Sequence, residues 1–262
     1  MPNRVRTACG CSQGNLHLAT CCLGRSSGPA ERRSIPLGWI SRSGIIKEMI
    51  KAILFDADGV LINSQKANIA LFKNLLTAAG YPTPSDQKVV ECFHLPLWQS
   101  LEKLTGSKDQ AEIKRIWEKV QDRAMRTPEL LEFPENFERT LESLHKKYKL
   151  AIVTSRVRVG IDDMFEIRDI GRLFDVVVTF EDYENPKPHP EPLLTALKKL
   201  RTTADEAVYV GDSSTDIEAA QAAGMKSIHL APLTHKQATA GITRFDQLVE
   251  AVKSVGAAPS VV

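Results

Sequence analysis

Cysteine is scarce in most of this chain: four of its five cysteines lie within the first 22 residues, and only Cys92 lies beyond them. A disulfide framework places cysteines throughout the domain that it stabilises, so this distribution argues against a disulfide-rich secreted scaffold. The early cysteines, a C-x-C pair and an adjacent pair, do not match the ligand spacing of a structural zinc site. The body of the chain therefore has the composition of a protein from a reducing compartment.

Long hydrophobic runs and a strong excess of one charge are also lacking. No stretch approaches the roughly 20 apolar residues that a membrane helix needs. The net charge is +2, with +5 on residues 1–48 and −3 on the remainder. Because the body is mildly acidic, we expect neither a nucleic-acid partner nor a membrane.

Residues 1–48 show neither helical nor strand periodicity and are rich in Gly, Ser, Arg and Cys. We predict a disordered leader over this stretch. Its Arg-rich, acid-poor composition also fits an organellar transit peptide, which would make the protein organellar. The interpretation that we favour starts the protein at Met49, directly before the first predicted strand, and places the protein in the cytoplasm.

The most informative stretch is residues 53–61, in which an apolar run leads into Asp56, Asp58 and Gly59. A short apolar run before a turn signal indicates a buried, parallel strand. Both carboxylates then lie at the carboxyl end of that strand, which is where open α/β sheets bind ligands. Gly59 allows a sharp turn or a close approach to a ligand.

The remaining pattern predicts an α/β fold with an inserted helical block. Between positions 64 and 132 the periodicity is helical, at about 65–79, 85–93, 96–104 and 109–126, and no stretch is typical of a strand. Strands are predicted within 149–155, 174–179, 207–210 and 227–231, alternating with helices that end near 254. This alternation predicts a Rossmann-like parallel sheet. We expect the core in 49–64 and 132–262, and a cap in 65–131.

Polar side chains follow three of the predicted strands, and a lysine lies in a proline-rich loop between them. These candidates are Asp56, Asp58, Thr154, Ser155, Lys187 and Asp212. Crowded carboxylates repel one another, and they either protonate or bind a hard cation such as Mg²⁺. A cation together with a lysine forms a site for phosphate. One aspartate can then act as nucleophile and another as general acid/base, through a phospho-aspartyl intermediate.

Four motifs in order resemble those of the haloacid dehalogenase superfamily over about residues 51–254. They are Phe55-Asp56-Ala57-Asp58-Gly59-Val60, Ala151-Ile152-Val153-Thr154-Ser155, Lys187-Pro188 and Gly211-Asp212-Ser213-Ser214-Thr215-Asp216. The inserted helical block is similar to the C1-type cap of the phosphoglycolate phosphatase and β-phosphoglucomutase group. The resemblance implies a Rossmann-like core with a cap that closes over the site.

The resemblance also implies a role for each matching residue. Asp56 would be the nucleophile and Asp58 the general acid/base, whose backbone carbonyl also binds Mg²⁺. Asp212 would complete the metal site, with Asp216 supporting it. The phosphoryl oxygens would be held by Thr154 and Lys187, with Ser155 beside them. Dehalogenase members lack the second aspartate of the first motif, so its presence here favours phosphoryl transfer.

We therefore expect a Mg²⁺-dependent phosphatase that acts on a small phosphorylated metabolite, as a monomer or homodimer. A phosphomutase and a pyrophosphatase, with the same aspartyl chemistry, remain alternatives, as does a non-catalytic binding protein on the same fold. Asn68 stands where β-phosphoglucomutases carry a histidine, which disfavours the mutase. In the cap, His94 replaces a glycine that is frequent in related phosphatases. It could contact the substrate or be a partly exposed surface histidine.

Overall fold

The computed structural model describes residues 50–93 and 95–257, so the predictions for the leader and for His94 fall outside the described residues. Within these ranges the chain forms one parallel sheet with the strand order β3-β2-β1-β4-β5-β6. The strands are β1 Ala52–Phe55, β2 Lys149–Val153, β3 Val176–Val178, β4 Ala207–Gly211, β5 Lys226–Leu230 and β6 Ala240–Ile242. This is the order of a doubly wound α/β fold, as the sequence predicts.

Helices connect the strands and also form the long connection between β1 and β2. In that connection lie α1 Gln65–Ala78, α2 Asp86–Val90, α3 Leu97–Thr105 and α4 Gln110–Glu118. The later helices are α5 Phe137–His145, α6 Arg158–Ile167, α7 Glu191–Leu200, α8 Ser214–Ala222 and α9 Leu248–Gly256. No helix in the described ranges is long and apolar enough to cross a membrane.

The core consists of two apolar layers, one on each face of the sheet. Side chains alternate along a strand, so in β1 Ile53 and Phe55 enter one layer while Ala52 and Leu54 enter the other;. The first layer packs against α5, α6 and α9, and the second against α7 and α8. Because both faces are covered, the central strands are apolar throughout, which is why the sequence shows them as continuous runs.

The helices α1 to α4 are called the helical segment, and this part of the connection between β1 and β2 has an apolar cluster of its own. Side chains of α1 to α4 form it, with Leu75, Leu101 and Ile113 fully buried. The two ends of this helical segment run side by side, because Asn63 and Glu132 exchange backbone hydrogen bonds of 2.8 and 3.1 Å. The chain therefore enters and leaves the helical segment at two neighbouring positions, Asn63 and Glu132.

Two elements differ from the sequence prediction. The helix expected over 109–126 ends at Glu118, and the chain after it forms short 3-10 turns. The Asp122 carboxylate accepts a hydrogen bond from the Ala124 backbone N–H at 2.9 Å, and such local bonds compete with the helical pattern;. Strand β6 was not predicted, because three residues are too few to show an alternating pattern.

The carboxyl ends of the three central strands lie at the same level. Phe55, the last residue of β1, pairs with Ile152 in β2 and with Val210 in β4. The residues that follow these strands therefore share one edge of the sheet, which brings together side chains about 100 and 155 positions apart in sequence.

Candidate active site

Three carboxylates meet at this edge of the sheet. Asp56, Asp212 and Asp216 each offer one oxygen atom, and the three atoms lie within 4.8 Å of one another. Asp56 and Asp216 are buried, whereas Asp212 is half-buried. The structure thus brings together three of the four aspartates that the sequence proposes for the metal site.

Lys187 lies against two of these carboxylates. Its ammonium nitrogen is 2.6 Å from Oδ1 of Asp216 and 3.0 Å from Oδ1 of Asp56. Burial by itself lowers the pKa of Lys187, but the charges of Asp216 and Asp56 outweigh it and hold that pKa well above its ordinary value. Lys187 therefore stays protonated and supplies a fixed positive charge beside Asp56.

Asp216 is the carboxylate whose oxygens are most fully hydrogen-bonded. Its Oδ1 accepts from Lys187 and from the Tyr209 hydroxyl at 3.0 Å, and its Oδ2 accepts from the Ser213 hydroxyl at 2.6 Å and the Ser213 N–H at 3.1 Å. Burial acts to raise the pKa of Asp216, yet Lys187 and Ser213 hold it below its ordinary value. Asp216 thus remains charged in the protein interior.

The pKa values of the other two carboxylates of the cluster, Asp56 and Asp212, are raised. Burial raises the pKa of Asp56 to about 8; Lys187 opposes the shift, and the charges of Asp216, Asp58 and Asp212 add to it. Burial and the charge of Asp216 likewise raise the pKa of Asp212 to about 7. Both pKa values are raised first by burial and then by neighbouring negative charge, and a bound cation would favour the charged form of both carboxylates;.

The donor set suits a hard divalent cation. Oδ1 of Asp56 is buried and accepts no well-directed hydrogen bond from any residue that the structure describes, although Lys187 lies nearby. An oxygen of this kind has coordination capacity to spare, and carboxylate oxygens are the ligands that Mg²⁺ prefers. Asp56, Asp212 and Asp216 are the residues that could hold the metal.

Gly59, in the first motif, allows the chain to lie close to the side chain of Asp212, in the fourth motif. Its φ of +76° is a left-handed conformation, and a Cβ at this position would lie 1.9 Å from Oδ2 of Asp212. A side chain here would be strained and would displace the carboxylate. The glycine after the two aspartates is therefore required by geometry.

The Asp58 carboxylate lies outside the three-carboxylate cluster. The expected metal contact of Asp58 is through its backbone carbonyl, and it stays a prediction. Oδ1 of Asp58 accepts a hydrogen bond from the Ser64 hydroxyl and lies 2.7 Å from Nη1 of Arg156. Its side chain is 37% exposed. Asp58 is thus held between α1 and the end of β2, on the side from which the helical segment begins.

Thr154 and Ser155 lie directly after β2, at the same edge as Asp56. Thr154 is buried, and its hydroxyl accepts a hydrogen bond from the Arg156 N–H at 3.2 Å. Ser155 is half-buried, and the Tyr183 hydroxyl donates a hydrogen bond to the neighbouring Thr154 carbonyl at 3.2 Å. Their predicted contact with phosphoryl oxygens stays a prediction.

Three residues of the site received no role in the sequence analysis: Arg156, Tyr209 and Ser213. A tyrosine inside a buried strand often has a polar partner for its hydroxyl, so Tyr209 carried a weak signal. Ser213 forms a capping box with Asp216, which the S-x-x-D pattern indicates;. Arg156 carried no signal, because only the fold shows which carboxylate it faces.

Comparison with known proteins identifies the family. The family of haloacid dehalogenase-like hydrolases matches residues 53–230. Pyrophosphatase PpaX of Bacillus cereus (strain G9842) is 37% identical over 180 residues, which cover 68% of this chain and 82% of that protein. The chain therefore belongs to the haloacid dehalogenase-like hydrolase family, as its motifs predict.

Solved structures share the fold. A subfamily IA hydrolase of the same superfamily from Geobacter sulfurreducens PCA has a TM-score of 0.61 at 26% identity, covering 81% of this chain and all of that one. A β-phosphoglucomutase from Clostridium difficile has a TM-score of 0.66 at 21% identity, covering 79% of this chain and 97% of that one. At the latter identity the similarity concerns the fold alone. These matches confirm the predicted α/β fold.

Proposed function

We propose that the protein is a Mg²⁺-dependent phosphatase that hydrolyses a small phosphorylated metabolite through a phospho-aspartyl intermediate. The observation that carries the proposal is Asp56. It is a buried carboxylate whose Oδ1 accepts no well-directed hydrogen bond from the described residues, and it lies beside a charged lysine and two further aspartates. This arrangement suits a nucleophile that must approach an anionic phosphate.

In the proposed reaction an oxygen of Asp56 attacks phosphorus and the bond to the leaving group breaks. Asp58 gives the departing oxygen a proton. It then takes a proton from the water that attacks the phospho-aspartate, which frees phosphate and restores Asp56. Lys187 and Thr154 hold the phosphoryl oxygens, and Ser155 lies beside them. A Mg²⁺ ion held by Asp56, Asp212 and Asp216, with the Asp58 carbonyl, would lower the charge repulsion between nucleophile and phosphate.

The helical segment supports a division of the chain into a core and a cap. We propose a core of residues 49–64 and 132–262 and a cap of 65–131, because that segment has its own apolar cluster and joins the core through the paired residues Asn63 and Glu132. Such a cap would exclude water while Asp56 is phosphorylated. His94 belongs to this segment, and its contact with substrate stays a prediction.

Asp56→Asn is the variant that tests the nucleophile. We expect turnover to fall by at least about 10³-fold, because an amide oxygen is a poor nucleophile. Phosphate release from a panel of metabolite esters, measured on the full chain with and without Mg²⁺, gives the reading, and thermal unfolding shows whether the variant is folded. Asp86→Asn, the same change at an exposed position in α2, is the matched control. Near-normal activity of a folded Asp56→Asn protein would disprove the assignment.

A pyrophosphatase is the second candidate, because a 37% identical relative carries that name. Pyrophosphate therefore belongs in the panel, and selective hydrolysis of it would decide in favour of this candidate. Conversion of glucose-1-phosphate into glucose-6-phosphate with little free phosphate would instead indicate a mutase, against the expectation from Asn68. Absence of Mg²⁺-dependent phosphate release from every compound would indicate a binding protein.

A further inference from the structure

Arg156 places a second positive charge at the edge of the sheet that holds the candidate site. The loops after β1, β2 and β4, residues 56–64, 154–157 and 212–213, contain no other lysine or arginine. Nη1 of Arg156 lies 2.7 Å from Oδ1 of Asp58 and 3.4 Å from Oδ1 of Asn68. The side chain is 13% exposed, so its charge acts in a largely desolvated environment;.

The guanidinium is incompletely hydrogen-bonded where it lies. Its Nε is buried and has no hydrogen-bond partner among the residues that the structure describes. Gly160 provides the space for it, because a Cβ there would lie 3.1 Å from Nε. A buried donor without a partner destabilises the arrangement that contains it, so the guanidinium can gain hydrogen bonds by rearranging around another anion.

Asp58, the carboxylate that pairs with Arg156, is also the general acid/base of the proposed reaction. Lys187 forms ion pairs with Asp216 and Asp56, next to the proposed phosphoryl site. Asp58 must transfer protons at the leaving oxygen, yet here Arg156 and Ser64 hold its carboxylate. An anion that bound Arg156 would weaken that hold and leave Asp58 free to turn toward the substrate.

We propose that Arg156 determines substrate specificity: its guanidinium binds a second oxyanion, a carboxylate or a phosphate, carried by the leaving group. Binding of that oxyanion releases Asp58 for proton transfer. The inference rests on the proposed phosphatase activity, and it specifies the substrate class as phosphate esters or anhydrides with a second anionic group. A planar guanidinium suits this task because it can bind both oxygens of such a group.

The test compares substrates that differ in the second anion. One pair is phosphoglycolate and 2-hydroxyethyl phosphate, in which a carboxylate is replaced by a neutral alcohol. The other is pyrophosphate and p-nitrophenyl phosphate, whose leaving groups have similar basicity. We expect the wild-type enzyme to prefer the anionic member of one pair. Arg156→Gln should lower kcat/KM for that member by about 10- to 100-fold, and by less than about threefold for the neutral member.

Two further variants sharpen the result. Arg156→Lys keeps the charge but not the planar fork, and it should retain part of the preference. Arg158→Gln removes a neighbouring charge that pairs with Asp182 at 3.3 Å, and it should leave the preference unchanged. The pair that responds to Arg156→Gln identifies the anion as carboxylate or phosphate.

The outcomes separate this inference from the proposed function. An equal loss for both members of a pair would mean that Arg156 acts only through Asp58 or the fold, and it would overturn the inference. So would a wild-type enzyme that hydrolyses p-nitrophenyl phosphate but prefers neither anionic substrate. If the wild-type enzyme released no phosphate from any of the four compounds with Mg²⁺, the proposed function itself would fail.

Discussion

The Tyr209 hydroxyl contacts the charged side chains of Lys187 and Asp216. Tyr209 is fully buried in β4, and its hydroxyl lies 3.0 Å from both the Lys187 nitrogen and Oδ1 of Asp216, and 3.2 Å from the Val153 carbonyl. A phenol has one proton, so it accepts from Lys187 and donates to one of the two oxygens. Tyr209 therefore fixes where the lysine nitrogen lies relative to Asp56.

Tyr209→Phe should loosen this arrangement without removing any charge. We expect a loss of about 1–3 kcal/mol in the free energy of unfolding, because Lys187 and Asp216 each lose a buried partner. Inhibition by inorganic phosphate should weaken several-fold, since Lys187 loses one of the three side chains that position its nitrogen. Urea denaturation and product-inhibition assays give the two readings. Tyr81→Phe removes a phenol hydrogen bond to Glu112 in the helical segment and should leave phosphate inhibition unchanged. Equal phosphate inhibition in all three proteins would contradict the positioning role.

Among the secondary-structure elements, α6 connects the sheet to the helical segment. Its Asp163 pairs with Arg126, with nitrogen–oxygen distances of 2.6 and 3.2 Å, and both side chains are largely buried. Arg126 also donates to the carbonyls of Val120 and Gln121 at 2.6 and 3.0 Å. One guanidinium thus fixes the 3-10 turns after α4 and links them to α6, the helix that follows Thr154 and Arg156.

Arg126→Ala should destabilise the protein by about 3 kcal/mol, because it leaves the buried Asp163 carboxylate without its main partner. Arg123 provides the control, since it approaches the same carboxylate only at 3.8 Å and is 49% exposed. Arg123→Ala should cost less than about 1 kcal/mol. Urea denaturation of both variants measures the difference. Similar losses for the two would show that the buried pair contributes no more than a surface contact.

For the molecule as a whole, the burial and crowding of carboxylates at the site couple folding to pH and to Mg²⁺. The pKa values of Asp56 and Asp212, about 8 and about 7, lie above that of a carboxyl in an unfolded chain, which is about 3.9;. At these two groups the folded metal-free protein therefore binds more protons than the unfolded chain does;. The stabilisation from this protonation is complete below the unfolded pKa and is lost as the pH rises through about 7 and about 8;.

Mg²⁺ should consequently stabilise the protein more at alkaline than at acidic pH, because it binds the deprotonated carboxylates. With Mg²⁺ well above its dissociation constant, we expect Tm to rise by about 5 °C or more near pH 8.5, and by much less near pH 5.5. Thermal scans with and without Mg²⁺ at each pH cancel the effects of other titrating groups. Asp212→Asn should abolish most of the increase near pH 8.5. An equal increase at both pH values would contradict the proposed metal site.

Much of the fold could be predicted because its signals are local. Buried strands such as β1 and β4 appear as apolar runs, and α1 and α5 show helical periodicity. The break after Glu118 and the short strand β6 escaped prediction, because one side-chain hydrogen bond decides the first and neighbouring strands decide the second. Local pattern is informative where an element is long, and it fails where tertiary contacts select between similar local conformations.

The sequence by itself determined the family and its fold. It placed Asp56, Thr154 and Asp212 at strand ends and Lys187 in a proline-rich loop, because buried strands and motif spacing are written in consecutive residues. Only the tertiary structure decided how those side chains share their charges. It put the Asp58 carboxylate against Arg156 instead of among the other carboxylates, 98 positions apart in sequence. Such pairings depend on distances across the sheet and on burial, which no local pattern encodes.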